Sequence, residues 1–343
     1  MSVNTEHTQL PKQPLHPSII SKLDPEYVAF HEKYIQNVTP VEQLPWDPIA
    51  RRIPLSVGKK PLDVGKIEEF ELKRGGHGRM MRAYTPTGEP PKTGWPVLVY
   101  FSRSEQSIIT NHCMGAKCVV LSVDYRLAPE NKFPAAVDDA VEALQWVLIE
   151  GNNLLNADTS KIAVGGLSAG GNLAAVLALK SVEETFTPPL PAPLALQLLF
   201  VPSLDFTASA APGGRWESNR HAPFLTLSRM AWFKEMYFLT ETDCLKWEAS
   251  PILAPNELLA KAPKTWIGAG ELDILCNEAE AYVERLRECG VDAECVVYKG
   301  GTHLNFSIDG THPLLNDCSM MKNGEKGIAD AVEALAKAFG TAK

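Results

Sequence analysis

From Glu68 onward, short runs of β-branched and aromatic residues alternate with longer stretches whose apolar positions recur at helical spacing. The runs fall at Glu68–Leu72, Met80–Tyr84, Pro96–Phe101, Cys118–Val123, Lys161–Gly165, Leu194–Phe200, Thr265–Gly268 and Ala293–Tyr298. Strands that alternate with helices predict an α/β architecture, here an eight-stranded, mostly parallel sheet flanked by helices. The first two runs, separated by a stretch holding Gly75, Gly76 and Gly78, predict an antiparallel hairpin.

Pro134 stands where a helix begins, and Val137, Val141, Leu144 and Leu148 then give it one buried stripe. Further helices are predicted from the Ser168 turn to about Lys180, over roughly Glu278–Cys289 with its charges outward, and over about Gly324–Phe339. Two segments stand outside this rhythm. One is the first 60 or so residues, with a helix near Asp24–Asn37; the other is the Trp-, Met- and Phe-rich stretch from Arg215 to Phe238. Both are additions to the sheet, so residues 1–60 are expected to form a cap, joined by about 207–240, over a domain spanning 61–343.

Chemistry enters at Lys161–Gly171. The apolar strand Ile162-Ala163-Val164 passes directly into Gly165-Gly166-Leu167-Ser168-Ala169-Gly170-Gly171 and then a helix. This is a G-x-S-x-G elbow in its proper context, a tight turn that presents Ser168 outward as a nucleophile. The helix that follows aims backbone donors at the serine, and the Ala169 N–H is placed to bind an oxyanion. A nucleophilic serine needs a base, and the base an orienting acid, in the chain order Ser, Asp or Glu, His. Asp273 follows the strand at Thr265–Gly268, and His303 follows the last strand on the loop Gly300-Gly301-Thr302. Alone, each has a blander role as a helix cap or a satisfied histidine. Their joint placement makes the triad; Glu271 and Asp292 are rivals for the acid. Leu167, Trp216 and Phe224 are expected to line a substrate pocket.

These residues resemble the hormone-sensitive lipase family of esterases, especially its fungal members, from about Leu23 to the end. Beside the elbow Gly-Leu-Ser-Ala-Gly-Gly-Asn, the segment Val123-Asp124-Tyr125-Arg126-Leu127-Ala128-Pro129-Glu130 looks like the family's marker after strand four. Asp273-Ile274-Leu275-Cys276-Asn277-Glu278 is similar to its acid-bearing D-x-L-x-D-E stretch, with Asn277 replacing the second Asp. The resemblance implies an α/β-hydrolase fold, hydrolysis of short-chain carboxylic esters through an acyl-enzyme, no metal or organic cofactor, and an N-terminal helical cap. Asp124 and Arg126 are then structural.

One departure stands out. The family's third strand runs into an H-G-G-G motif that supplies most of the oxyanion hole. Here Phe101 is followed by Ser102-Arg103-Ser104-Glu105-Gln106, with no glycine before Gly115. Three readings stay open: a slow enzyme using Ala169 N–H with a donor such as Ser102 or Ser104, a nearly inert protein that binds a small ligand, or a loop shortened by deletion or by a mistaken gene model.

Composition narrows the partners. A net charge of -8 without a Lys/Arg run argues against nucleic acid and favours a small-molecule ester substrate. Seven cysteines, an odd number without a Cys-x-x-Cys pair, argue against a disulfide framework or zinc ribbon. The polar, Pro-rich start is unlike a secretory leader, and no apolar run reaches the roughly 18 residues of a membrane span, so a cytoplasmic protein without stable membrane insertion is expected. A homodimer is left open.

Overall fold

The computed structural model describes residues 13–48, 60–72, 78–102, 106–183, 186–307 and 321–342. Its strands are β1 (Lys66–Leu72), β2 (Arg79–Thr85), β3 (Trp95–Phe101), β4 (Val119–Val123), β5 (Ala157–Leu167), β6 (Leu196–Phe200), β7 (Thr265–Gly270) and β8 (Ala293–Tyr298). The helices are α1 (Pro17–Ile20), α2 (Pro25–Phe30), α3 (Gln106–Ala116), α4 (Ala135–Leu155), α5 (Ala169–Glu183), α6 (Leu227–Tyr237), α7 (Asn256–Leu259), α8 (Cys276–Glu288) and α9 (Lys322–Phe339).

One eight-stranded sheet runs in the order β1-β2-β4-β3-β5-β6-β7-β8. β1 pairs antiparallel with β2 and β2 antiparallel with β4, while every pairing from β4–β3 to β7–β8 is parallel. The predicted hairpin is therefore present, although its glycine turn at 73–77 lies outside the described residues. A parallel sheet must be covered on both faces, which is why β3 reads as an unbroken apolar run, Trp-Pro-Val-Leu-Val-Tyr-Phe, buried at every position. Residues of α4, α5 and α8 share one core with one face; residues of α3 and α9 share a second core with the other.

α4 starts immediately after Pro134 and buries Val137, Leu144 and Leu148 as expected, while Val141 of the same stripe is only partly buried against the core. Two differences matter. α3 was not foreseen: it buries Ser107, Ile108, Ile109, Thr110, His112 and Cys113, so no polar face gives it a helical period. On α8, Glu278 is wholly buried rather than outward like the other charges, because three N–H donors converge on it.

The N-terminal segment and the stretch after β6 meet each other. Glu42 and Arg229 form a buried ion pair at 2.9 Å, with both side chains under a tenth exposed. The His16 and His221 rings stack at 3.7 Å, and Trp46 packs near Trp232. On its other side the N-terminal segment packs Ile19, Leu23 and Tyr27 against Leu272 and Leu304. Asp24 N–H also donates to the Gly300 carbonyl at 3.0 Å.

Candidate active site

β5, β7 and β8 run parallel, so their C-terminal ends open on one edge of the sheet, where open α/β sheets gather ligands. Ser168 follows β5, Asp273 lies three residues beyond β7, and His303 lies on the loop after β8. Ser168 sits between strand and helix with φ +55°, a conformation that a side chain with a Cβ adopts only when its surroundings enforce it. The enforcement is visible. Its N–H donates to the Phe200 carbonyl at 2.8 Å, and its carbonyl accepts from Asn172 N–H at 3.0 Å. A Cβ on Gly166 would run into the backbone of Gly170, and one on Gly170 would run into the Phe101 carbonyl. Glycine at both flanks therefore lets the elbow, its helix and the end of β3 approach backbone to backbone.

The three residues predicted as a triad come together. His303 Nε2 lies 2.9 Å from Ser168 Oγ, and His303 Nδ1 lies 2.8 Å from Asp273 Oδ2. Asp273 is 1% exposed and His303 6%, so the hydrogen bond between them is shielded from water; Ser168 is half-buried. The second carboxylate oxygen of Asp273 accepts from Leu275 N–H at 3.1 Å, which leaves Oδ2 for the imidazole. The rival acids are engaged elsewhere. Glu271 accepts from Gly300 N–H at 2.7 Å, holding the histidine loop, and Asp292 is an exposed partner of Lys264 at 2.8 Å.

Ala169 is the first residue of α5 and is exposed at the helix start, where free N–H groups point outward. Ser102 is buried just past β3, and its carbonyl accepts from Ser122 Oγ at 3.0 Å. Ser104 lies outside the described residues, as does the rest of 103–105. Only four residues separate the end of β3 from the start of α3, so that loop is short.

The expected pocket residues divide. Leu167 is half-buried beside Ser168. Phe224 packs between the main core and the cluster holding Leu272 and Leu304, with φ +64° and the Arg229 guanidinium 4.8 Å over its ring. Trp216 is different, a correction to the expectation that it faces a substrate. It is 5% exposed in the main core and its indole N–H donates to Glu278 at 2.5 Å, because a buried indole needs an acceptor.

The Abhydrolase_3 family, an alpha/beta hydrolase fold, matches residues 96–307. The chain belongs to this family. An AB hydrolase superfamily protein of Schizosaccharomyces pombe is 36% identical across 99% of this hydrolase and 100% of its own length. The ethyl acetate hydrolase of Pseudomonas putida is 29% identical, spanning 76% of this chain and 79% of its own. A solved thermostable esterase from Pseudomonas putida ECU1011 superposes with a TM-score of 0.77 at 28% identity, covering 94% of this chain and 98% of that one.

Several residues support the hydrolase site through partners that the sequence does not name. Asn172 donates to the carbonyls of Ser203 and Ala249, both at 2.8 Å, tying the nucleophile helix to the loop after β6. Glu278 accepts from the N–H groups of Leu204 and Asp205 at 2.8 and 2.9 Å, bracing the same loop. Burial, with Asp205 close by, pushes the Glu278 carboxyl up to about 8. Arg126 behaves as the resemblance implied, pairing with Asp139 through its guanidinium at 2.7 Å and its backbone N–H at 2.6 Å. The six described cysteines are free, and Cys318 lies outside the described residues. Among the described residues no helix is long and apolar enough to cross a membrane, and no cluster of three His, Cys, Asp or Glu could hold a metal ion.

Proposed function

We propose that this hydrolase cleaves short-chain carboxylic esters of small molecules through a serine acyl-enzyme, with Ser168 as nucleophile, His303 as base and Asp273 as its orienting acid. The observation that carries the proposal is the unbroken hydrogen-bond order from Asp273 Oδ2 to His303 Nδ1 and from His303 Nε2 to Ser168 Oγ. The esterase names of the relatives and the structural neighbour support the ester substrate.

The chemistry follows the geometry. Asp273 accepts a hydrogen bond from Nδ1–H and so fixes the tautomer in which Nε2 carries a lone pair towards Oγ. Nε2 takes the hydroxyl proton as Oγ attacks the acyl carbon, and the negative charge moves to the former carbonyl oxygen. The buried Asp273 carboxylate stabilises the imidazolium without taking its proton. Collapse returns that proton to the leaving alcohol, and water then repeats the sequence on the acyl-enzyme. The Ala169 N–H supplies one oxyanion donor, and Ser102, just past β3, is the candidate for a second. Since the His-Gly-Gly-Gly loop implied by the family resemblance is replaced here by Ser102-Arg103-Ser104-Glu105-Gln106, turnover is expected to be slow: a missing donor costs about 100- to 1,000-fold in rate. The N-terminal segment and the stretch around Trp216–Phe238 act together as the cap, with Leu167 and Phe224 against the substrate.

Parent protein and Ser168→Ala, assayed on p-nitrophenyl acetate and butyrate, provide the test. Turnover in the parent and its loss in a folded Ser168→Ala protein are expected; equal rates would remove Ser168 from the chemistry.

A further inference from the structure

Resting on the ester-hydrolase reading, we infer that Asn219 is a positioning residue: its side-chain amide reaches from the segment after β6 to the loop carrying Asp273 and holds the acid where His303 needs it. A single NH2 group presents two protons, and each meets a carbonyl. Nδ2 lies 2.9 Å from the Glu271 carbonyl and 2.7 Å from that of Asp273 itself. These oxygens sit either side of the turn that delivers the catalytic carboxylate, so the amide pins the backbone from which that side chain projects.

The contact is one part of a clasp. Residues 215–219 are gripped in return by the start of α8, where Asn277 Nδ2 donates to the Arg215 carbonyl at 3.0 Å and to Ser218 Oγ at 2.9 Å. Next to it, Glu278 accepts from Trp216. The Arg215 carbonyl explains the residue type at 277. A carboxylate there would set oxygen against oxygen, whereas an amide donates. The clasp is thus built from two asparagines that each offer protons to the opposite side, Asn219 to two carbonyls and Asn277 to a carbonyl and a hydroxyl.

The Asn219 amide bonds the Glu271 and Asp273 carbonyls, not the imidazole, so its effect on the base runs through Asp273. Loss of the amide frees the turn, and displacement of the carboxylate by even a fraction of an ångström weakens a hydrogen bond that was 2.8 Å long. The expected cost is about 10- to 100-fold in kcat with KM changed less than about two-fold, because ester binding does not involve the acid.

The decisive variant is Asn219→Asp, which keeps the shape but turns two donors into acceptors. It should show that kcat loss, together with broadening or disappearance of the low-field proton resonance of the His303–Asp273 hydrogen bond. Asp292→Ala serves as the control: Asp292 is an exposed carboxylate that pairs with Lys264 away from the cap and the triad, so rate and resonance should stay at parent values. Asn219→Ala carries the same expectation as Asn219→Asp without added charge. A folded Asn219→Asp or Asn219→Ala protein with parental kcat and resonance overturns the inference. So does failure of both variants to fold, since the amide would then serve folding rather than the triad. Ser168→Ala in the same assay separates the two levels: if that variant retains turnover the esterase reading fails, whereas loss there with full activity in Asn219→Asp sinks only the positioning role.

Discussion

His112 makes the protein sensitive to acid at the element next to the proposed oxyanion loop. Its Nδ1 donates to the Ile108 carbonyl at 2.6 Å, while its Nε2 is buried with no hydrogen-bond partner among the described residues. The ring lies between Tyr100 at 5.8 Å and Phe200 at 6.0 Å, so a proton on Nε2 would place a charge among aromatic rings. Burial accordingly lowers the imidazole from 6.5 to about 4. The folded chain then binds this proton more weakly than the unfolded chain, and protons favour unfolding. The contribution to stability is complete above pH 6.5 and is lost as pH falls from 6.5 towards 4. At about 1.4 kcal/mol per unit, the loss reaches about 2 kcal/mol near pH 5 and roughly 3 kcal/mol near pH 4. His112→Phe removes the titration and keeps a ring in the cluster. Urea unfolding followed by the fluorescence of the seven tryptophans, near pH 7.5 and near pH 5, measures the difference. The drop in stability between the two pH values should be smaller in His112→Phe by about 2 kcal/mol. An equal drop in both proteins would refute the role given to the buried ring.

Two further outcomes follow from the packing. Rebuilding the loop after Phe101 with His-Gly-Gly-Gly should raise kcat on p-nitrophenyl esters by about 100-fold or more if oxyanion donors limit the rate; an unchanged rate removes that explanation. Glu42→Ala strands the buried Arg229 and should cost about 3 kcal/mol or more in urea unfolding, with the N-terminal segment becoming open to protease. Adding Arg229→Ala should restore part of that loss, and simple additivity of the two changes would show that the pair is not coupled.

The sheet was legible because its strands are covered on both faces, which makes continuous apolar runs such as Val97–Phe101 and Leu196–Phe200 stand out between helical periods. β5 ran further than expected at its start, because Ala157-Asp158-Thr159-Ser160 is polar and only its backbone announces a strand. α3 escaped notice for the opposite reason. Its polar residues Ser107, Thr110 and His112 are buried, and Thr110 Oγ1 bonds back to the Ser107 carbonyl, so no exposed polar face marks the period. The candidate triad could be read from strand-end placement together with the family resemblance: parallel strands deliver their following loops to one edge, and the D-x-L-x-D-E likeness singled out Asp273 from Glu271 and Asp292. The supports of that triad could not. Asn172 and Glu278 stand in stretches that resemble the family's and Asn219 in none, but all three act through backbone groups far away in sequence, and an Asn or Glu does not name its carbonyl or N–H partner. Trp216 was misplaced on the same ground: an aromatic stretch announces burial, but only its acceptor, Glu278, shows which way the indole faces.

The most direct test of the proposed chemistry is covalent capture of the nucleophile. Incubating the protein with an activated aryl phosphonate and mapping the adduct by peptide mass spectrometry should place one phosphonyl group on the peptide containing Ser168, with release of the aryl alcohol and loss of esterase turnover in step. A label on any other residue, or full turnover in protein labelled at Ser168, would contradict the assignment of Ser168, His303 and Asp273 as the reacting triad.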